Sequence, residues 1–208
     1  MIDHATLITY VLIVLGFVFI PGPATLLTVA RAASSGARVG IATGAGIAVG
    51  DMIHTSMAIA GLSAIIATSA LLFSVVKYAG AGFLIYLGIR AMLDKAPIEL
   101  NGGAPAISAD RAFRQAVLTE VLNPKTALFF LAFLPQFVRP EHGSIAAQLA
   151  ILGLVFVLLG LLSTVVFAVG AGRLGNLLRR HPAVVKWQGK VVGTIYCAVG
   201  VRLALQER

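Results

Sequence analysis

Residues Ile20–Leu27 read Ile-Pro-Gly-Pro-Ala-Thr-Leu-Leu and interrupt an apolar run that extends from Ala5 to Ala30. Pro21 and Pro23 each lack a backbone N–H donor, and a proline inside a helix clashes with the carbonyl one turn earlier. A break of this kind in a bilayer is tolerated only where it packs against protein or lines a wet cavity. The half-helix that starts after the break presents free N–H groups and the positive end of its dipole. The stretch therefore predicts a site that stabilises an anion, such as a carboxylate, within the membrane.

The composition is that of a polytopic membrane protein. Of the 208 residues, 59% are hydrophobic and 12% are charged, and the mean hydropathy is +0.96. The net charge of +8 would also suit a nucleic-acid-binding protein, but the Lys and Arg residues lie between apolar segments. We interpret them as determinants of topology and expect no nucleic-acid partner. The single cysteine, Cys197, excludes an internal disulfide and a thiolate cluster, and no His/Cys spacing predicts a metal site or a cofactor.

The sequence predicts an all-α integral membrane protein with six transmembrane helices, each long enough to cross a hydrocarbon core that needs roughly 20 helical residues. Helices 1 and 4 are broken by proline, at Pro21–Pro23 and at Asn123–Lys125. The expected spans are Ala5–Ala33, Val39–Ser63, Leu71–Leu93, Ala112–Val138, Ile145–Leu174 and Ala183–Leu205.

The polar stretch at residues 94–111 reads as a linker between two halves. Residues 1–93 and 112–208 then form two three-helix repeats. After each break, the segments Pro23–Leu27 and Pro124–Leu128 place proline, threonine and leucine at the same offsets. With three spans in each half, the repeats must be inverted, and paired broken helices favour a transporter site near the membrane midplane. The alternative is that both are ordinary proline kinks without a role in transport.

The odd-numbered connections between spans are richer in Lys and Arg, so the positive-inside rule places them, and the linker, in the cytoplasm. Both termini are then predicted to face outward. Lys77, Arg202 and Arg208 do not fit this pattern. A five-span arrangement, with the N-terminus inside, stays open.

Four of the ionisable residues in the predicted spans are candidates for the functional site. Asp51 lies halfway along span 2 and should face a cavity or a partner. His54 shares its helical face and could share its proton. Glu120 precedes the second break, and Lys125 starts the half-helix after it, where a cation opposes the helix dipole. Each also has a purely structural interpretation, as a hydrogen-bonded or ion-paired group that holds helices together or lies at the membrane–water interface.

Glycines at four-residue spacing, such as Gly36, Gly40 and Gly44, predict close helix contacts. They would pack span 2 against the broken helices or against a second subunit, so a homodimer through these faces is possible.

Several motifs together resemble the LysE/RhtB family of amino-acid exporters, and the resemblance covers nearly the whole chain. They are Pro21–Pro23, the Gly36…Gly40…Gly50-Asp51 stretch, Tyr86–Gly88, Asn123–Lys125 and Phe129-Phe130…Leu134–Phe137. The branch of homoserine, threonine and leucine exporters looks closer than the lysine and arginine branch. The resemblance implies efflux of an amino acid or a derivative across a bacterial inner membrane, driven by an ion gradient. It assigns no role to Glu120 or His54.

We therefore expect a proton antiporter that exports an amino acid and is not an enzyme. A zwitterion needs an anion site, which the half-helix ends would supply, and a cation site, which Asp51 would supply. The predicted substrate-binding residues are Pro21, Gly22, Pro23, Ala24, Thr25, Asp51, Asn123, Pro124 and Lys125. The predicted proton-coupling residues are Asp51, Glu120 and His54. The alternatives are an intramembrane enzyme that uses Asp51, His54 or Glu120, and a channel or structural subunit.

Overall fold

The computed structural model describes residues 2–19, 22–68, 70–93, 106–180 and 182–205. Within these ranges the chain is helical and contains no strand, which confirms the all-α prediction. Two short 3-10 helices, Leu134–Phe137 and Pro140–His142, follow the sixth α-helix. The α-helices are α1 (His4–Phe19), α2 (Pro23–Ser35), α3 (Ala37–Thr68), α4 (Ala70–Leu93), α5 (Ala109–Val121), α6 (Pro124–Ala132), α7 (Ile145–Arg180) and α8 (Pro182–Leu205).

Both predicted breaks are present. The chain bends by 49° between α1 and α2 and by 50° between α5 and the helical segment that begins at Pro124. Each second half-helix starts with a proline, at Pro23 and Pro124, because the first turn of a helix does not need the missing N–H group. Ile20 and Pro21 lie outside the described residues.

Some boundaries differ from the sequence-based ones. α5 begins at Ala109, three residues before the predicted span, because the Ser108 hydroxyl caps its first turn by accepting from the Arg111 N–H at 3.3 Å. The fourth span does not stay α-helical to Val138: it tightens into a 3-10 helix at Leu134, where Pro135 cannot donate a backbone hydrogen bond. Residues 94–105 of the predicted linker lie outside the described residues.

By length and composition, α3 and α7 can each cross a membrane, and the count within the described ranges rises to four if each bent pair is one span. α4 and α8, with 24 residues each, coincide with the third and sixth predicted spans. The six-span, inverted-repeat arrangement stays a prediction.

The close contacts of α3 fix the directions of its neighbours. Gly40 faces Ala168 and Gly153 faces Thr55, so α3 and α7 run antiparallel. Gly46 faces Ala116 of α5, and four residues further along α3 Gly50 faces Glu120, so α3 and α5 run parallel.

α4 and α8 pack along each other in opposite directions. Gly200 lies against Ala81, while Gly193 lies against Gly88 and Met92. α1 runs parallel to α7, since Tyr10 bonds to Leu152 and Val18 to Ser163.

These directions place most of the basic connections at one end of the bundle. The end of α2, the starts of α3 and α5 and the end of α7 meet there, and the Arg31 guanidinium of α2 donates to the Gln115 amide oxygen of α5 at 3.1 Å. The opposite end holds the start of α1, the end of α6 and the start of α7. We call these the basic end and the aromatic end.

The aromatic end contains the main hydrophobic core. Its buried rings pack against one another with centroids 4.3 to 6.4 Å apart, and aliphatic side chains of α3 and α7 surround them. Such contacts favour tight, oriented packing. The buried rings are Tyr10, Phe17, Phe129, Phe130, Phe133, Phe156 and Tyr196.

Four glycines of α3 make close contacts with other helices of the same chain. Gly40, Gly44, Gly46 and Gly50 are buried against α2, α7 and α5, as expected for small residues that let helices approach. The helix faces that carry these four glycines are therefore occupied within one chain. The predicted homodimer stays a prediction.

We expect Gly46→Ala to lower the free energy of unfolding by about 1–3 kcal/mol, because the added methyl group would overlap the Phe113 carbonyl oxygen and the Ala116 side chain. Gly61→Ala is the matched control on the same helix, since nothing lies within 4 Å of the added methyl group. The control should be neutral or stabilising by up to about 1 kcal/mol. Thermal unfolding in detergent measures both, and equal midpoints would contradict the proposed α3–α5 contact.

Candidate functional site

A polar cavity of about 50 Å³ lies between the two breaks and extends from them toward the basic end. A volume of this size holds a few water molecules. Side chains of α1, α2, α3, α5, α6 and α7 contribute to its wall. The lining residues are Phe17, Val18, Gly22, Ala24, Thr25, Ile47, Asp51, Glu120, Asn123, Lys125, Thr126, Phe156, Gly160 and Thr164.

The first break leaves the start of α2 open to this cavity. Gly22 precedes α2 in extended conformation, and no side chain caps the helix. A backbone hydrogen bond joins the Leu26 N–H to the Gly22 carbonyl at 2.9 Å, so the amides of Ala24 and Thr25 lie ahead of it. Both residues line the cavity. The N-terminal end of α2 therefore presents its positive dipole end to the cavity.

The second break is closed by its own side chains. The Asn123 amide oxygen accepts from the Lys125 N–H at 3.0 Å and so caps α6. The Asn123 amide nitrogen lies 3.2 Å from each carboxylate oxygen of Glu120, and the Thr126 hydroxyl donates to the same carboxylate at 2.5 Å. Glu120 is only 1% exposed. Its carboxylate is thus a hydrogen-bonded part of the break.

Asp51 is in a different situation. It is 3% exposed, and its Oδ1 atom is buried without a hydrogen-bond partner in the described part of the chain. Its other oxygen faces Gly160 of α7, where a Cβ atom would lie 3.4 Å away. Its carboxylate lies close enough to Glu120 and Lys125 for their charges to interact. A buried polar atom of this kind is costly unless something pairs with it.

Lys125 reaches from the second break to the first. A methyl group on Gly22 would lie only 2.9 Å from the Lys125 ammonium nitrogen. The ammonium group lies 4.2 Å from the centroid of the Phe17 ring and 5.6 Å from that of Tyr196, at cation–π distance. Within the described residues, Lys125 forms no ion pair with either carboxylate. The positive charge of Lys125 and the positive end of α2 therefore converge on one place.

His54 contacts backbone rather than the cavity. Its Nε2 atom donates to the Glu120 carbonyl at 2.9 Å, one of the groups that the break frees from helical bonding. His54 thereby ties α3 to the end of α5. Its predicted role in proton coupling is untested.

The structure brings together most of the residues that the sequence singled out: Gly22, Ala24, Thr25, Asp51, Glu120, Asn123 and Lys125 all line the cavity. Pro124 is exposed and starts α6 without lining it. The side chain of Pro23 and all of Pro21 lie outside the described part.

Sequence reasoning missed several wall residues. Thr126 had a signal, since it matches Thr25 at the same offset from proline. Phe17, Phe156 and Gly160 had none, because an aromatic residue or a glycine in an apolar helix looks like ordinary core.

The fold and the site define an α-helical membrane protein with a buried polar cavity between two broken helices. The family model of the LysE type translocator matches residues 15–207, and the chain belongs to this family. The resemblance seen in the sequence is thus confirmed.

The chain is similar over most of its length to membrane proteins with and without a described activity. The chain is 31% identical over 184 residues to the homoserine/homoserine lactone efflux protein of Salmonella typhimurium, which covers 88% of both chains. It is 35% identical over 166 residues to the uncharacterized membrane protein YrhP of Bacillus subtilis, which covers 76% of this chain and 79% of the relative. No solved structure gives a significant match.

We expect Asn123→Ala to destabilise the protein by about 2–4 kcal/mol, because α6 loses its cap and Glu120 loses two of its hydrogen bonds. Ser108→Ala is the control: it removes the cap of α5 at an exposed position, at a cost of about 1 kcal/mol. Equal shifts in the thermal midpoint would show that the Glu120 network adds nothing beyond helix capping.

Proposed function

We propose that this protein is a secondary active transporter that exports a small neutral amino acid across the inner membrane in exchange for protons. The observation that carries the proposal is that one cavity contains both a negatively charged group and a positively charged region that lack partners for their hydrogen-bonding groups. The Asp51 carboxylate has an oxygen without a partner in the described residues, and the uncapped start of α2 meets the Lys125 ammonium group.

The anion site belongs to the first break. α6 is capped by Asn123 and lies beside Glu120, whereas α2 has no side-chain cap. A substrate carboxylate would accept hydrogen bonds from the start of α2 and pair with Lys125, as anions do at helix N-termini. The two half-helices therefore do not contribute equally, although the sequence alone allowed both.

The cation site belongs to Asp51. Glu120 already accepts from Asn123 and Thr126, whereas one Asp51 oxygen has no partner in the described residues, so an ammonium group would pair with Asp51. Gly160 leaves the space beside the Asp51 carboxylate open. A zwitterion placed with its carboxylate at Lys125 and its amine at Asp51 satisfies both ends of the cavity.

The same carboxylate accounts for coupling. A proton and a substrate ammonium group compete for Asp51, since each neutralises the same charge. A proton that reaches Asp51 from outside releases the amine, and its departure to the cytoplasm restores the binding site. Exchange of one proton-loaded form for one substrate-loaded form is antiport.

Two features of the fold support inverted repeats and outward termini. The extensive pairings of α3 with α7 and of α4 with α8 join helices in corresponding positions of the two halves, and each pair is antiparallel, as an axis in the membrane plane requires. The basic end of the bundle would face the cytoplasm. All the helix directions fit six alternating crossings.

An enzyme or a channel remains the rival class. The described residues contain no group of three or more His, Cys, Asp or Glu side chains that could hold a metal. A channel would give flux that neither saturates nor responds to a pH gradient, which the following experiments would detect.

We expect Asp51→Asn to abolish uphill, pH-gradient-driven transport in proteoliposomes, because the amide cannot exchange a proton at this site. The wild type should show saturable exchange of homoserine or threonine that responds to the gradient. Asp110→Asn is the control, since Asp110 is exposed on α5 and pairs with Arg114. Full gradient-driven transport by Asp51→Asn would refute the coupling role.

We expect Lys125→Met to raise the half-saturation concentration for homoserine about 10- to 100-fold, the worth of a charge-assisted hydrogen bond. Homoserine lactone, which the name of the Salmonella relative includes, has an amine but no free carboxylate. Its transport should change little, because Lys125 would bind only a carboxylate.

Lys77→Met is the control for this charge removal, because Lys77 lies on α4 over the Tyr78 ring and does not line the cavity. An equal loss for homoserine and its lactone in Lys125→Met would contradict a carboxylate site at Lys125.

A further inference from the structure

A second pocket, of about 10 Å³, lies beside the polar cavity, and Phe17 lines both spaces. Its other walls are apolar side chains, including Ile13, Leu84 and Phe129, together with Tyr196 of α8. A volume of this size fits about one water-sized group. It therefore suits a hydroxyl group and not a branched hydrocarbon end.

Tyr196 is the polar member of this wall. The residue is 6% exposed, and its hydroxyl has no hydrogen-bond partner in the described part of the chain. The other buried tyrosine, Tyr10, donates to the Leu152 carbonyl at 2.9 Å. A buried hydroxyl without a partner is unusual, because it gives up its bond to water without replacement.

The pocket lies against the group that would hold the substrate carboxylate. The Phe17 and Tyr196 rings have centroids 5.8 Å apart, and the Lys125 ammonium lies over both. In a short amino acid, only a few bonds separate the carboxylate from the end of the side chain. A substrate anchored at Lys125 can therefore place that end beside Tyr196.

We propose that Tyr196 is a specificity-determining residue that forms a hydrogen bond with the hydroxyl group of a short hydroxy-amino-acid substrate. This inference rests on the proposed transport function and specifies its substrate class. Homoserine fits, because its terminal hydroxyl matches the size of the pocket and would form a hydrogen bond with the phenol. Leucine does not, because its branched end exceeds the space and leaves the phenol unpaired.

The test is counterflow in proteoliposomes with labelled homoserine and labelled 2-aminobutyrate, which has the same carbon chain without the hydroxyl. The wild type should prefer homoserine at least about 10-fold, since a site built for a hydroxyl rejects an analogue that lacks it. Tyr196→Phe should reduce this preference about 10-fold or more through slower homoserine exchange, with 2-aminobutyrate unchanged. Tyr86→Phe, at an exposed position of α4, is the matched control and should keep the wild-type preference.

A thermal unfolding measurement separates specificity from structure. Tyr196→Phe removes a hydroxyl without a partner, so its midpoint should equal or exceed that of the wild type. A lower midpoint would mean that the hydroxyl stabilises the fold, and would overturn the inference. So would a wild type that exchanges both amino acids equally, or an unchanged preference in Tyr196→Phe. A wild type that exchanges no amino acid overturns the proposed function and this inference together, whereas the other outcomes leave the transport function standing.

Discussion

A helix that breaks inside a bilayer frees amide and carbonyl groups that lipid cannot satisfy, so the protein must provide their partners. At the second break it does so: Asn123 caps α6, and His54 donates to the Glu120 carbonyl. At the first break Gly22 has no side chain, and the nearby positive charge comes from Lys125 of the other break. The two breaks that border the polar cavity therefore differ, because the second is closed by its own residues and the first has no side-chain cap.

The packing of α5 and α7 against α3 positions the polar residues around the two breaks. Its glycines let α5 and α7 approach so closely that Glu120 lies against Gly50. Asp51, the next residue on α3, is thereby enclosed between a satisfied carboxylate and the open surface of Gly160. The aromatic core begins at Phe17, which lines both the polar cavity and the small pocket beside Tyr196. Small residues thus enclose the polar groups, and aromatic rings form the adjoining wall.

The sequence predicts those parts of the site in which a residue is unusual for a membrane helix. Prolines within apolar runs, and Asp51, Glu120 and Lys125 within predicted spans, are costly in lipid, so their presence in the sequence indicates a cavity. The sequence could not reveal that Glu120 is already satisfied or that Lys125 crosses to Gly22, because those facts depend on how α5 and α6 pack. His54 illustrates the limit: it follows Asp51 on the same face of α3, yet the proximity of α5 directs it to a backbone carbonyl. Phe17 could not be recognised from the sequence for the opposite reason, since an aromatic residue breaks no rule in a membrane helix.

The unequal capping of α2 and α6 has a consequence for how such a carrier would cycle. A protein with inverted repeats changes access when its halves exchange conformations, and the exchange is balanced only if the halves are alike. The protein has one capped and one bare half-helix, so in the proposed inverted-repeat carrier the two end states of the empty form would differ in energy. A substrate carboxylate bound as proposed would do for α2 what Asn123 does for α6, and it would make the halves more alike. In the proposed transport cycle the substrate would thus act as the missing capping residue of α2, and its binding would reduce the energy difference between the end states.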